Sequence, residues 1–204
     1  MICWPSLNKE SWNDKEYCYY CFEVVAATLE HRKVRDKWNA KSWTRSIPLF
    51  VKFASGKGHD KQLRGCIGTF RARPLVTNLT YFSKQAAFCD ERFRPISLGE
   101  LALLECQIDL LVDFEPIDDP LDWEVGIHGV SIKFTANGIR YSSTYLPSVA
   151  AEQRWDQEET LESLIHKAGY YGSIRSLQIT ATRYKSLEIG CTYEEYLHNL
   201  ELLG

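Results

Sequence analysis

The chain has 204 residues, a formal net charge of −3 and 45% hydrophobic residues, the composition of an ordinary globular protein able to fold without a metal or disulfide staple. The slight acidic balance excludes a dedicated nucleic-acid binder with a basic stripe, so nucleic acid is not expected as a primary ligand. Seven cysteines, at positions 3, 18, 21, 66, 89, 106 and 191, form no regular disulfide framework, and neither a signal peptide nor a bilayer-length apolar run is legible, so a reducing compartment is expected: cytoplasm and, for so small a chain, also nucleus, with no membrane partner.

Residues 1–16 read as an N-terminal extension and 17–204 as one domain. A first helix is capped by Asn13 with Glu16 three residues on, and presents Tyr17, Tyr20, Cys21, Val24, Thr28 and Leu29 on one face. The basic stretch His31 to Lys41, with Trp38, reads as a solvated connection. Ile47–Phe53 and Leu63–Phe70 are strands around the turn chemistry of Ser55 to Asp60. Pro74 opens a helix whose apolar face is Leu75, Leu79, Phe82, Ala86 and Cys89. Ser97 and Glu100 form a capping box for a short helix. Leu104 to Val112 alternates as a half-buried strand, with Glu105, Gln107 and Asp109 outward. The acidic stretch Asp113 to Glu124, with Pro116 and Pro120, reads as a connection.

A second hairpin follows, Val130–Phe134 and Ile139–Ser143 about Asn137-Gly138. Pro147 opens a short helix. Asp156 and Glu159 box the start of a longer one carrying Leu161, Leu164, Ile165 and Ala168, and Gly169 ends it. Leu177–Thr182 is a strand, and Thr192 with Glu195 caps a last helix. Residues 47–112 and 130–184 therefore share one element order: hairpin, helix, helix, strand. This is an α+β arrangement in two related halves. In such a duplication Arg64 and Arg140 occupy matching places and are expected to converge on one cleft.

The chemistry-bearing candidate is the strand Leu63-Arg64-Gly65-Cys66-Ile67-Gly68-Thr69-Phe70. Strand alternation puts Arg64, Cys66, Gly68 and Phe70 on one face, with Leu63, Gly65, Ile67 and Thr69 toward the core. Arg64 then lies roughly 7 Å along the strand from Cys66. A neighbouring cation favours the thiolate, and glycines inside a strand mark a bulge, a packed helix or a close ligand approach. Read as packing, Cys66 is a small buried hydrophobe. Read as chemistry, it is a catalytic nucleophile with Arg64 as its activator and anion anchor. A base for it would be a histidine; of His59, His128 and His166, His128 is the best placed by sequence. Cys18-Tyr-Tyr-Cys21 lies within a helix and has no second pair to complete a zinc site. No phosphate or dinucleotide loop is present, so neither a cofactor nor a metal is expected. Asp156 is explained by its cap, whereas Glu152 has no local explanation.

Leu63 to Phe70 is very similar to the signature of the AMMECR family. Tyr17–Phe22, Ala86–Phe93 with Pro95-Ile96-Ser97, Leu121–Gly129, Thr144–Pro147, Glu152-Gln153, Trp155-Asp156 and Lys167–Tyr170 resemble further family motifs in the right order. The resemblance implies two related halves around a curved, barrel-like, mainly antiparallel sheet. It brings no reaction with it. It implies housekeeping roles in transcription, replication, repair or translation, and the company of bacterial and archaeal members with Memo-like and radical-SAM proteins implies an enzyme or its accessory. Relatives tend to carry glycine where this chain has Arg154, a charge that either alters a ligand preference or pairs with Glu158. Two functional readings follow. One is a small-molecule site with Cys66 catalytic and Arg64, Gly65, Gly68, Thr69, Arg140, Glu152 and Asp156 binding the ligand. The other is a non-catalytic module that binds a protein partner, or a regulator of transcription, repair or translation.

Overall fold

The computed structural model describes residues 15–56, 61–174 and 177–203; the cap at Asn13, Cys3 and the turn containing His59 lie outside the described residues. The first helix, α1 (Glu16–Leu29), starts with Lys15 at its N-cap. Ten of the eleven positions from Tyr17 to Ala27 are buried, all but Tyr19, so the helix is enclosed nearly all round rather than on one stripe. Its one acidic core residue, Glu23, is fully buried. The Glu23 carboxylate accepts hydrogen bonds from the Arg32 guanidinium, from the Arg35 N–H at 2.7 Å and from the Tyr196 hydroxyl at 2.6 Å. The basic stretch after α1 is thus anchored rather than solvated: Trp38 is buried as well, and donates to Asn199 at 2.8 Å.

The remaining elements are β1 (Ser46–Ser55), β2 (Gln62–Pro74), α2 (Leu75–Phe88), a 3-10 helix (Leu98–Leu103), β3 (Leu104–Ile117), β4 (Gly129–Ala136), β5 (Ile139–Tyr145), α3 (Pro147–Gln153), α4 (Gln157–Lys167), β6 (Thr180–Thr192) and α5 (Tyr193–Leu202). The class is α+β, and the element order hairpin, helix, helix, strand occurs twice. The strands form one six-stranded sheet in the order β2-β1-β3-β6-β4-β5, with antiparallel pairing of β1 to β2 and β3, and of β4 to β5 and β6.

Two compact units divide the chain. One comprises residues 15–110 and 187–203 of those described, the other residues 111–186. In the first, the inward faces of β1 and β3 supply Leu49, Val51, Phe53, Cys106 and Ile108, all fully buried, together with Phe22 of α1. In the second, Val130, Ile132, Phe134 and Ala181 pack with Ala150, Leu164 and Ile165. The turn between β4 and β5 has positive φ at both Asn137 (51°) and Gly138 (75°), the conformation that an Asn-Gly hairpin turn supplies. Asp156 and Glu159 exchange both bonds of the capping box at α4.

Two strands run further than expected. β3 continues to Ile117, through the acidic stretch expected to be a connection, and β6 starts at Thr180 and continues to Thr192. Cross-strand charge pairs explain the extension: Arg183 bonds Glu115 at 2.9 Å, and Lys185 lies 3.9 Å from Asp113. Residues that read as solvent-facing loop in isolation are matched partners in a ladder.

Candidate functional site

The strand 63–70 is built around internal contacts, each readable from the backbone outward. At Gly65, a Cβ would lie 1.9 Å from the carbonyl oxygen of Ala86. The glycine lets the C-terminal turn of α2 close onto β2. At Gly68, a Cβ would lie 2.3 Å from the Phe50 ring and equally close to the Leu49 oxygen. Its absence lets Phe50 lie across the neighbouring strand, where it meets Phe70 edge-on with centroids 5.4 Å apart. The Thr69 hydroxyl accepts the Arg71 N–H at 2.9 Å, inside a second irregular stretch of the strand.

The register breaks at Arg64. Phe53 pairs with Gly65 and Ala54 with Leu63, so Arg64 is the extra residue of a bulge. A bulge ends simple alternation, and the expected shared face of Arg64 and Cys66 is not formed on that basis. The Arg64 guanidinium instead donates to Glu100 at 2.8 and 2.9 Å and to the Arg94 carbonyl at 3.2 Å. Glu100 also accepts from the Ser97 N–H and hydroxyl, both at 2.9 Å. Arg64 therefore fastens the 3-10 helix to the strand, and the cations that act on the thiol are Lys52 and Arg92.

Cys66 is held by its backbone on the open edge of β2. Its N–H donates to Asp90 at 2.9 Å, and its carbonyl accepts from Arg92 at 3.2 Å. Asp90 and Arg92 bond each other at 2.7 Å. The Arg92 guanidinium, ahead of the donated Cys66 N–H, holds the Asp90 carboxyl down at about 2. The pair supplies one acceptor and one donor where a further strand would supply them. The residues Cys89 to Phe93, legible beforehand only as a motif, are thereby tied to the motif at 63–70.

The Cys66 thiol is partly buried and unpaired. Burial pushes its pKa up and the Asp109 charge adds to that; Lys52 and Arg92 act the other way without overcoming it. A resting thiolate is not what this environment favours. The register puts Lys52 opposite both Cys66 and Gln107, and Phe50 opposite both Gly68 and Asp109. Directly paired residues share a face, so Cys66, Lys52, Gln107 and Asp109 form a polar group across three strands. Asp109 is only 6% exposed, contrary to its expected outward, solvated place, because β3 is buried on both faces from Ile108 to Val112. Burial drives its carboxyl up to about 6; the Gln107 amide, donating at 3.1 Å, and Lys52 oppose the shift, and Glu188 adds to it.

The other candidates fall as follows. Arg140 is exposed on β5, paired with Thr135. Glu152 is exposed on α3, and the Asp156 side chain is occupied by its cap, accepting the Glu159 N–H at 2.8 Å. Arg154 makes no ion pair with Glu158; it is the C-cap of α3 with a left-handed backbone, φ 59°. His128 uses Nδ1 to accept the Glu124 N–H at 3.1 Å, and His166 stacks on Tyr171 at 5.4 Å. Cys18 and Cys21 are buried in α1, and among the described residues no group of three or more ligating side chains is placed to hold a metal ion. Lys52, Asp90, Arg92, Gln107 and Asp109 escaped the sequence reading. Asp90 and Arg92 were legible only as members of the motif Ala86–Phe93, and Asp109 only as an acid inside the apolar run Ile108-Asp109-Leu110-Leu111-Val112.

Comparison with known proteins adds the lineage. The chain is 37% identical over 190 residues to the uncharacterized protein At2g38710 of Arabidopsis thaliana, covering 90% of this chain and 87% of that one. It is 38% identical over 156 residues to the uncharacterized protein YOR289W of Saccharomyces cerevisiae, covering 68% of this chain and 62% of the yeast protein. The crystal structure of the uncharacterized protein PH0010 from Pyrococcus horikoshii superposes with a TM-score of 0.66 at 22% identity, over 87% of this chain and 92% of the other. At that identity the likeness is one of fold. The AMMECR1 family profile matches residues 18–189, a span that includes β1, β2, the Asp90–Arg92 pair and the Asp109 group. The chain belongs to the AMMECR1 family.

Proposed function

We propose that the chain carries a small-molecule site on the face of β2, β1 and β3 formed by Cys66, Lys52, Gln107 and Asp109, and that it acts there as an enzyme or an enzyme's accessory by proton transfer. The carrying observation is Asp109: a buried carboxyl held at about 6, on the face that Lys52 also presents, one step along the ladder where Lys52 pairs with Gln107. A group poised there both accepts and returns a proton near neutrality. Lys52 is the anchor for an anionic group of the ligand, and Gln107 orients the carboxyl. Cys66 lines the site as a neutral thiol rather than as a standing nucleophile. The unpaired thiols support a reducing compartment, the cytoplasm or nucleus. A partner-binding module or regulator of transcription, repair or translation is the alternative.

Two measurements test the proposal. Alkylation by iodoacetamide at pH 7, read by mass spectrometry, should label exposed Cys89 well before Cys66; faster labelling of Cys66 would restore the thiolate nucleophile and sink the neutral-thiol assignment. A thermal-shift screen of small carboxylates and carbonyl compounds should find ligands whose shift is lost in Lys52→Ala and Asp109→Asn but kept in Cys66→Ser. Equal shifts in all variants, or no ligand at all, would refute the site.

A further inference from the structure

The second unit carries a cavity of about 430 Å³ lined by Lys133, Phe134, Thr135, Arg140, Tyr141, Ser142, Gln178 and Thr180. Its floor follows from the ladder. Lys133 pairs with Ser142 on β5 and with Thr180 on β6, and Thr135 pairs with Arg140. Paired residues share a face, so one face of three strands presents Lys133, Ser142 and Thr180 in one row and Thr135 and Arg140 in the next. The opposite face belongs to the core, where Ile132, Phe134 and Ala136 are buried. Phe134 and Tyr141 stack on that side with centroids 5.1 Å apart, and Tyr170 closes on both. The polar grid therefore stands on a rigid base.

The lining holds two cations, three aliphatic hydroxyls besides the Tyr141 phenol, one amide, and no acid. Elsewhere in the same unit, Arg183 has Glu115 and Asp122, and Lys185 has Asp113, while Lys167 donates to the Thr144 carbonyl. Among the described residues, neither Lys133 nor Arg140 has an ion-pair or hydrogen-bond partner. In a chain of net charge −3, two uncompensated cations converging on one cavity among hydroxyl donors is a local reversal of sign. The volume lies in the range of small-ligand sites. A guanidinium fork, an ammonium point charge and hydroxyl donors are the groups that hold a tetrahedral oxyanion.

We propose that this cavity binds the phosphate group of a small phosphomonoester. Arg140 grips two phosphate oxygens, Lys133 neutralises the remaining charge, and Ser142, Thr135 and Thr180 donate to the oxygens left over. Gln178 at the rim contacts the part of the molecule beyond the phosphate. The site is independent of the Asp109 group, whose residues all lie in the other unit.

Isothermal titration calorimetry on the full chain tests this with three probes: inorganic phosphate, ribose 5-phosphate and a single-stranded oligonucleotide. The expected result is saturable binding of ribose 5-phosphate, weakened about tenfold by Arg140→Gln and again by Lys133→Gln, with Lys84→Gln, a cation on α2, unchanged. Inorganic phosphate should bind more weakly at the same residues; if it binds as tightly as the sugar phosphate, the site is for free phosphate and the phosphomonoester assignment falls. Binding of the oligonucleotide alone would overturn the proposal in favour of a nucleic-acid backbone. Ribose 5-phosphate binding that survives both substitutions, or no binding by any probe, would overturn it outright. Both substituted side chains are exposed or rim-facing, so retained thermal stability shows that a loss is one of binding. Lys52→Ala and Asp109→Asn should leave ribose 5-phosphate affinity intact, which separates the failure of either site from that of the other.

Discussion

Arg154 holds φ 59° and ψ 34° at the C-cap of α3, a left-handed conformation in which a side chain crowds the following carbonyl. Position 154 is also where the family resemblance implies glycine, and the geometry supplies the reason: glycine adopts that conformation at no steric cost. Glu158 does not pair with the arginine, so the effect of this residue on stability is conformational. Arg154→Gly should therefore stabilise the protein by about 1 kcal/mol, the relief of the left-handed strain less the entropy of a freer unfolded chain. In a chain of this length that raises Tm by about 2–4 °C, and differential scanning calorimetry would detect it. A lower Tm would mean that the guanidinium makes a contact worth more than the strain.

At the scale of elements, β2 is an edge strand finished by side chains. Unpaired strand edges recruit other strands, and Asp90 with Arg92 occupies this one at Cys66. Asp90→Ala removes the acceptor of the Cys66 N–H and leaves Arg92 without its partner. The expected cost is about 2 kcal/mol, with faster amide hydrogen exchange at Cys66 and concentration-dependent association. Asp90→Asn keeps an oxygen for the Cys66 N–H, so exchange at that amide should stay near wild type while part of the stability is lost. If both variants exchange alike, the amide is protected by something other than the carboxyl. The elements themselves were largely legible. Hairpins, caps and helix faces follow from local rules about turns and periodicity, and the Asn137-Gly138 turn and the boxes at Asp156 and Thr192 form as their residues require. The ends of β3 and β6 were not legible, because Glu115 and Arg183 become strand residues only when they face each other.

For the molecule as a whole, three buried carboxyls set how stability responds to acid. Asp90 and Glu23 have pKa values depressed in the folded state; burial opposes the shift at Glu23, but the Arg32, Tyr196 and Arg35 bonds prevail. Their contribution is complete above the ordinary carboxyl range and is lost as pH falls toward 2. Asp109 has the opposite sign. Its folded pKa of about 6 lies above the unfolded value, so the folded state binds the extra proton and stability declines as pH rises from about 4 to 6. The decline attributable to Asp109 is up to about 3 kcal/mol. Urea unfolding of the wild type and of Asp109→Asn should therefore diverge from about pH 4 to 6, with the variant the more stable at pH 7; His128, whose burial acts in the other direction, is common to both and cancels. Identical profiles would show that Asp109 titrates normally. A site that lowers stability at neutral pH is also one that sequence patterning hides. The alternation Cys106, Ile108, Leu110 assigns Asp109 to solvent, and only the second covered face of β3 makes it a buried acid. The same holds for Arg64, whose place beside Cys66 rested on an unbroken strand and was undone by one extra residue.

The ties that hold residues 63–70 have a consequence for the order of folding. Asp90 lies 24 residues from Cys66, and Glu100 lies 36 from Arg64. Both bonds close short loops within one continuous stretch, and the hairpin of β1 and β2 with α2 closing on Gly65 is local too. Loop-closure entropy for such contacts is modest. This stretch can therefore assemble while the chain is still emerging, before α5 returns from the far end of the sequence to place Tyr196 on Glu23.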